Sequence, residues 1–223
     1  MAGHDWIGTA FVPDGEELRL MQSGDEFTIL LRDNELMSTR ASTSEEALAT
    51  LTHARLGVRA EAEWLIGGYG LGFTLRAALA VLESDARVTV AEIVPEIIAW
   101  AHGPMFELTA GCLDDPRVTL VDNDVALLID AARDGYDAIL LDVDNGPEGL
   151  TSLRNDQLYD SRGLKLAMAA LRSRGILAVW SAYADPNFTT LLQDGGFEVE
   201  LVTVQEIGGE PDEKYVIWFA QKP

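Results

Sequence analysis

The stretch W-L-I-G-G-Y-G-L-G-F-T-L-R-A-A-L, Trp64–Leu79, decides the fold. Its opening residues form an apolar run of strand length. Its last residues carry helix formers with apolar positions at helical spacing, and glycines stand between the two. This is a buried strand running through a glycine-rich turn into a helix, the unit with which nucleotide-binding sheets approach a ligand. Gly68, Gly70 and Gly72 spell G-x-G-x-G directly after the strand. Glycine there permits a tight turn and lets a ligand lie against main-chain atoms that a Cβ would block. The dinucleotide fingerprint G-x-G-x-x-G needs glycine at position 73, where this chain has Phe73, so the turn points away from NAD.

Working outward, strands and helices alternate from Glu63 onward. WLIGG, RVTVAEI, RVTLVD, YDAILLDV and GILAVWSA are short runs rich in Val, Ile and Leu. Helix-period segments lie between them near 73–83, 95–107, 124–133 and 156–172. The alternation predicts a parallel sheet covered by helices on both faces. Asp185-Pro186 is a helix start and Gly195-Gly196 its stop. FEVELVTVQEI and KYVIWFAQ, joined by GGEPDE, then read as a hairpin closing the sheet edge.

The first sixty residues differ. ELRLMQS, EFTILLR and ELMSTR alternate or cluster apolar residues with turn signals between them, predicting a small antiparallel meander. In STSEEALATLTHARLG, Thr43 and Glu46 have capping-box spacing, Ala47, Leu48, Leu51 and Leu56 supply an apolar stripe, and Gly57 ends the helix. The expected division is a β-meander plus linking helix over 1–58 and a main α/β domain over 59–223.

Acids at strand ends are the candidate functional groups. Glu92 ends the second strand of the main sheet, about twenty residues past the turn, where an acid accepts from both ribose hydroxyls of a nucleoside. Asp122 and Asp124 follow the third strand. Asp124 suits either an exocyclic adenine amine or the N-cap of the next helix, and physics alone favours neither. Asp142 follows four apolar residues of the fourth strand, at the mouth of the crevice where such sheets bind ligands. A carboxylate there can bind a cation or take a proton from an attacking amine. Asp144 points to the opposite face if the strand continues with a bend.

Thirty-seven acids against sixteen basic residues give a formal charge of −21. That excess argues against nucleic acid or an anionic membrane as a partner and favours a cationic acceptor, although most of the acids solvate the surface. The composition predicts a cytoplasmic, globular protein without a membrane span. Cys112 is the single cysteine and is expected to pack. His4, His53 and His102 are scattered, so no metal site is expected.

With these motifs in hand, the chain resembles the spermidine synthase family within the class I S-adenosylmethionine-dependent methyltransferase superfamily. IGGYGLG, VAEIVPEI, DDPRVTLVDNDV, YDAILLDVDNGPEGL, LYD and GILAVWS carry the resemblance, which runs from about Glu35 to the C-terminus. It implies a Rossmann-like fold with a seven-stranded, mostly parallel sheet, a C-terminal antiparallel hairpin and a preceding N-terminal β-region that supports a homodimer. It implies further that Gly68, Gly70, Gly72, Glu92, Asp124 and Val125 hold the donor nucleoside and that Asp142 helps deprotonate the attacking amine. Gly146-Pro147, Leu150 and Tyr159 match the loop that closes over the site in relatives, and Asp144, Leu71 and Tyr159 are the expected substrate contacts.

This sequence also departs from the family pattern. Leu71 stands where the family's glycine loop has the acid that binds the terminal amine of decarboxylated S-adenosylmethionine. D-V-D-N-G-P is two residues shorter than the family's D-x-x-D-P-x-G-P, and the family's N-terminal aromatic has no counterpart near STSEEAL, although His53 falls near a family histidine. The implied reaction moves an alkyl group, aminopropyl or methyl, from S-adenosylmethionine or its decarboxylated form to a small amine-containing acceptor. Two alternatives stay open at this point: a methyltransferase unrelated to polyamines, and a catalytically silent nucleoside-binding or oligomerisation module.

Overall fold

The protein is described by a computed structural model covering residues 5–13, 15–143, 156–207 and 213–223. An antiparallel meander opens the chain: β1 (Asp5–Phe11), β2 (Glu17–Ser23), β3 (Glu26–Leu31) and β4 (Asn34–Ser38) pair in sequence order. Three of the four are predicted. β1 is not, because DWIGTAF buries only Ala10 while Trp6 and Phe11 stay exposed, so it lacks a period-two apolar pattern.

Helix α1 (Thr43–Leu56) follows and ends at Gly57, whose N–H bonds the His53 carbonyl. Its start is not the predicted capping box. Ser42 is the N-cap residue, its side chain makes no capping bond, and Glu206 takes over from the far end of the chain. Glu206 Oε1 accepts from the N–H of Ser42 at 3.0 Å and of Thr43 at 2.8 Å, and Oε2 accepts from Ser44 N–H at 3.1 Å. The buried stripe is also rotated from the expected one, centring on Glu45, Leu48, Ala49 and Thr52.

The main sheet has the order β10-β11-β9-β8-β5-β6-β7. Its strands are β5 (Glu63–Gly67), β6 (Arg87–Glu92), β7 (Val118–Asp122), β8 (Tyr136–Leu141), β9 (Leu171–Ser181), β10 (Glu198–Gln205) and β11 (Lys214–Gln221). Neighbours from β7 to β9 are parallel, and β11 lies antiparallel between β9 and β10. The chain reverses its direction of winding at β5, which pairs with β6 on one side and β8 on the other. Sheets of this kind bind ligands at that switch, beyond the strand carboxyl ends.

Alternate residues of each central strand feed two apolar layers. Trp64, Ile66, Ala138, Leu140, Ile176 and Ala178 face α1, α2 (Phe73–Val81), α3 (Pro95–His102) and the meander. Leu65, Ile139, Leu141, Leu177 and Val179 face α5 (Val125–Ala131), α7 (Ser161–Ala170) and α8 (Pro186–Asp194). Burial on both faces explains the near-continuous apolar runs.

Two predicted helices are interrupted. The segment 95–107 divides into α3 and α4 (Phe106–Thr109), because Gly103-Pro104 ends the first. The segment 156–172 divides into α6 (Asp156–Tyr159) and α7, because Asp160 caps α7 by accepting from the N–H of Arg162 and Gly163. β9 accordingly starts at Leu171, earlier than predicted. Among the described residues no helix is long and apolar enough to cross a membrane.

Candidate active site

The turn after β5 is built around its glycines. Gly68 has φ +86°, and a Cβ there would stand 2.4 Å from the backbone oxygen of Asp142. Only glycine lets the β5 turn lie against the end of β8. Gly70 has φ +53°, and a Cβ would meet the Met37 thioether of β4 at 2.6–2.8 Å, so the meander roofs the turn. Gly72 is the N-cap residue of α2.

Glu92 fixes the turn from beneath. It is 6% exposed, and its Oε2 and Oε1 accept from the backbone N–H groups of Tyr69 and Val94, each at 2.9 Å. Burial pushes its carboxyl up, against these hydrogen bonds. The predicted ribose acid is therefore also the organiser of the glycine turn. The backbone N–H groups of Ile93 and Gly70 also favour its charged form, so the acid ties both sides of the turn together.

Asp142 follows β8. Its N–H bonds the Gly67 carbonyl at 3.1 Å, and its Oδ2 accepts from the Thr74 hydroxyl of α2 at 2.9 Å. Burial pushes the carboxyl up to about 6, with the Thr74 bond pulling the other way. A group poised there exchanges a proton near neutrality.

Asp124 does cap a helix: its Oδ1 accepts from Ala126 N–H at 2.9 Å at the start of α5. Val125 is 5% exposed and packs on Gly67, where a Cβ would stand 3.0 Å from its methyl groups. Asp122 lies exposed at the end of β7, level with Glu92 in the ladder.

The structure thus brings together Gly68–Gly72, Glu92, Val125 and Asp142. Two predicted substrate contacts, Leu71 within the turn and Tyr159, turn into the apolar layers. Leu71 is 1% exposed within the layer that faces the meander. Tyr159 is 5% exposed in the opposite layer, edge-on to Phe188 at 5.7 Å. Asp144, Gly146, Pro147 and Leu150 fall outside the described residues.

Sequence reasoning missed Thr74 and Glu45. Thr74 reads as an ordinary first-turn residue of α2. Glu45 left a signal: it falls at i−3 and i−4 from Leu48 and Ala49, an acid inside the buried stripe. It is 8% exposed, accepts from Ser44 Oγ at 2.7 Å, and is pushed up to about 8 by burial and by the charge of Asp142.

No protein-family profile matches the chain. A polyamine aminopropyltransferase of Corynebacterium efficiens is 31% identical over 179 residues, which is 78% of this chain and 33% of that protein. The chain therefore spans about a third of the length of that curated relative. A spermidine synthase from Thermotoga maritima superposes with a TM-score of 0.76 at 17% identity, covering 98% of this chain and 73% of the other. The chain has the spermidine synthase-like form of the class I methyltransferase fold. A probable spermidine synthase from Corynebacterium glutamicum agrees, with a TM-score of 0.67 at 15% identity over 100% of this chain and 81% of that one. In this spermidine synthase-like frame the N-terminal meander and the main sheet align together, since the superpositions extend over nearly the whole chain.

Proposed function

We propose that this chain is an aminopropyltransferase, moving an aminopropyl group from decarboxylated S-adenosylmethionine to a small amine in the cytoplasm. The observation that carries the reading is Asp142: a carboxyl pushed up to about 6, held against the glycine turn whose underside Glu92 organises. A nucleoside donor cradle and a proton acceptor meet at the switch point of the sheet.

In this reading the adenosyl part of the donor lies along Gly68–Gly72. Glu92 accepts from its ribose, and Val125 with Asp124 borders the adenine. The acceptor amine loses a proton to Asp142, and its lone pair then attacks the carbon next to sulfur. The new C–N bond forms as the C–S bond breaks, the sulfonium charge is discharged, and methylthioadenosine leaves neutral. Holding amine and carbon in line in a desolvated pocket supplies most of the acceleration.

Leu71 supports a second reading, methyl transfer from intact S-adenosylmethionine. An apolar, buried residue at that position offers no carboxylate to a donor's terminal ammonium. The meander within residues 1–58 is proposed as the surface through which two copies pair, supported by Trp6 and Phe11, which are 65% and 59% exposed on β1.

Calorimetric titration with decarboxylated S-adenosylmethionine, S-adenosylmethionine and methylthioadenosine tests the proposal. The decarboxylated donor and methylthioadenosine are expected to bind in preference to S-adenosylmethionine. Preference for S-adenosylmethionine supports methyl transfer, and no binding by any of the three overturns both readings.

A further inference from the structure

Glu45 occupies a place on α1 that the helix pattern reserves for an apolar side chain. It shares the buried stripe with Leu48, Ala49 and Thr52, and a buried carboxylate without compensation costs several kcal/mol, about what a core substitution costs. Solvation of the surface does not explain it.

Four elements converge on this acid. From α2, Thr74 Oγ1 lies 3.3 Å from the Glu45 carbonyl oxygen and 2.9 Å from Asp142 Oδ2, tying the first turn of α1 to the end of β8. From the end of β10, Glu206 caps the same turn. From β11, Tyr215 has a hydroxyl that burial and its bond to Glu213 push up, with smaller contributions from the charges of Glu45 and Glu206. From β9, Trp180 stacks on Tyr215 with ring centroids 4.9 Å apart. Trp180 follows Val179, the residue level with Leu141 across the β8–β9 ladder, which sets it beside Asp142 on the α1 face. It is 9% exposed, and its buried indole N–H has no acceptor among the described residues.

The three acids are not equivalent. Burial pushes Glu206 up, but the backbone N–H donors of Thr43 and Ser44 outweigh it and hold the carboxyl below its ordinary value. Glu206 is thus satisfied by the helix N-terminus. Glu45 and Asp142 have one hydroxyl donor each, from Ser44 and Thr74, and among the described residues no Lys, Arg or His forms an ion pair with either. With Glu45 pushed to about 8 and Asp142 to about 6, the pair carries one charge and one proton near pH 7.

We propose that Glu45 is a specificity-determining residue of the acceptor subsite, where its carboxyl and that of Asp142 share one proton and exchange it for the ammonium group of a small diamine or polyamine. The inference rests on the reading of Asp142 as the acid that meets the amine. In this exchange no covalent bond to the amine changes: the ammonium enters, one proton leaves to solvent, and both carboxylates face the cation. The stacked Trp180 and Tyr215 add aromatic surface, which favours an ammonium over a neutral ligand. Glu45 also returns a carboxyl to a site whose glycine loop carries Leu71.

Titration calorimetry of 1,4-diaminobutane into the full chain saturated with methylthioadenosine, at pH 7 in two buffers of different ionisation enthalpy, tests this. The heats are expected to differ between buffers, reporting release of up to about one proton per diamine bound. Glu45→Gln is expected to weaken diamine binding by about ten-fold or more and remove the buffer dependence, while methylthioadenosine binds as before. Glu45→Asp recovers part of the affinity. Absence of proton release by the native chain, or unchanged diamine affinity in Glu45→Gln, overturns the inference. The native-chain measurement decides alone should Glu45→Gln not fold. A chain that takes methylthioadenosine but no diamine overturns it too and leaves the donor site standing, whereas failure to take methylthioadenosine removes the reading beneath both.

Discussion

Asp142 is held between burial, which favours its neutral form, and the Thr74 hydroxyl, which favours its charge. Removing the carboxylate and removing its hydrogen bond therefore have different signatures. Asp142→Asn is expected to lower turnover by about 100-fold or more while methylthioadenosine affinity changes little, measured by steady-state kinetics and calorimetry. Thr74→Val withdraws the bond that favours ionisation, so the acid limb of the kcat/KM profile moves to higher pH, read from a pH–rate series. The glycines differ in a similar way. Gly68→Ala meets the Asp142 backbone, which cannot swing aside, and is expected to abolish nucleoside binding; Gly70→Ala meets the flexible Met37 and loses less. Gly68, Glu92 and Asp142 were legible in the sequence because each stands at a strand end, where position alone assigns a side to the ligand crevice. Thr74 and Trp180 were not, and Glu45 showed only as an acid in line with Leu48 and Ala49, since their meeting depends on how α1 and α2 lie across the sheet. Leu71 and Tyr159 carry no chain-local sign that they turn into the apolar layers.

At the scale of elements, α1 is joined to the sheet by a cap contributed from 162 to 164 residues away in sequence. Short-range pattern selects Thr43 and Glu46 as the capping pair because both lie within one turn, and no local rule reaches Glu206. Glu206→Gln is expected to cost about 1–3 kcal/mol in urea unfolding at pH 7 through loss of charge-assisted bonds at the helix start. Because the folded carboxyl lies below its ordinary 4.5, its contribution is present above that value and is lost as the pH falls through the folded pKa. The gap between native chain and variant should therefore close in acid. The central strands β5, β6 and β8 were read well from apolar runs buried on both faces, whereas helix ends were displaced wherever Asp160 or Gly103-Pro104 intervened within an otherwise helical pattern.

For the whole molecule, the layer facing α1 is continuous from Ala10, Leu18 and Ile29 of the meander to Ile176 and Phe219 of the main sheet. Shared burial of this kind predicts one cooperative urea transition, with tryptophan fluorescence and circular dichroism coinciding. The Glu45 and Asp142 pair gives that stability a pH dependence of the opposite sign to that of Glu206. Both folded carboxyls lie above their ordinary values of 4.5 and 3.8, so their contribution is full in acid and is lost as the pH rises through about 6 and then about 8. Fold class and the mostly parallel sheet with its closing hairpin followed from the alternation of runs and the glycine turn, whereas the order of the strands is known from the structure alone. The proposed acceptor side did not, because α1, α2, β8 and β9 contribute its residues and no single motif spells them. The measurement that tests the central claim most directly is product analysis by mass spectrometry after the chain is incubated with decarboxylated S-adenosylmethionine and 1,4-diaminobutane. The account predicts methylthioadenosine and an aminopropylated diamine in equal amounts; no product from that donor, with a methylated amine and S-adenosylhomocysteine formed instead from S-adenosylmethionine, would contradict it.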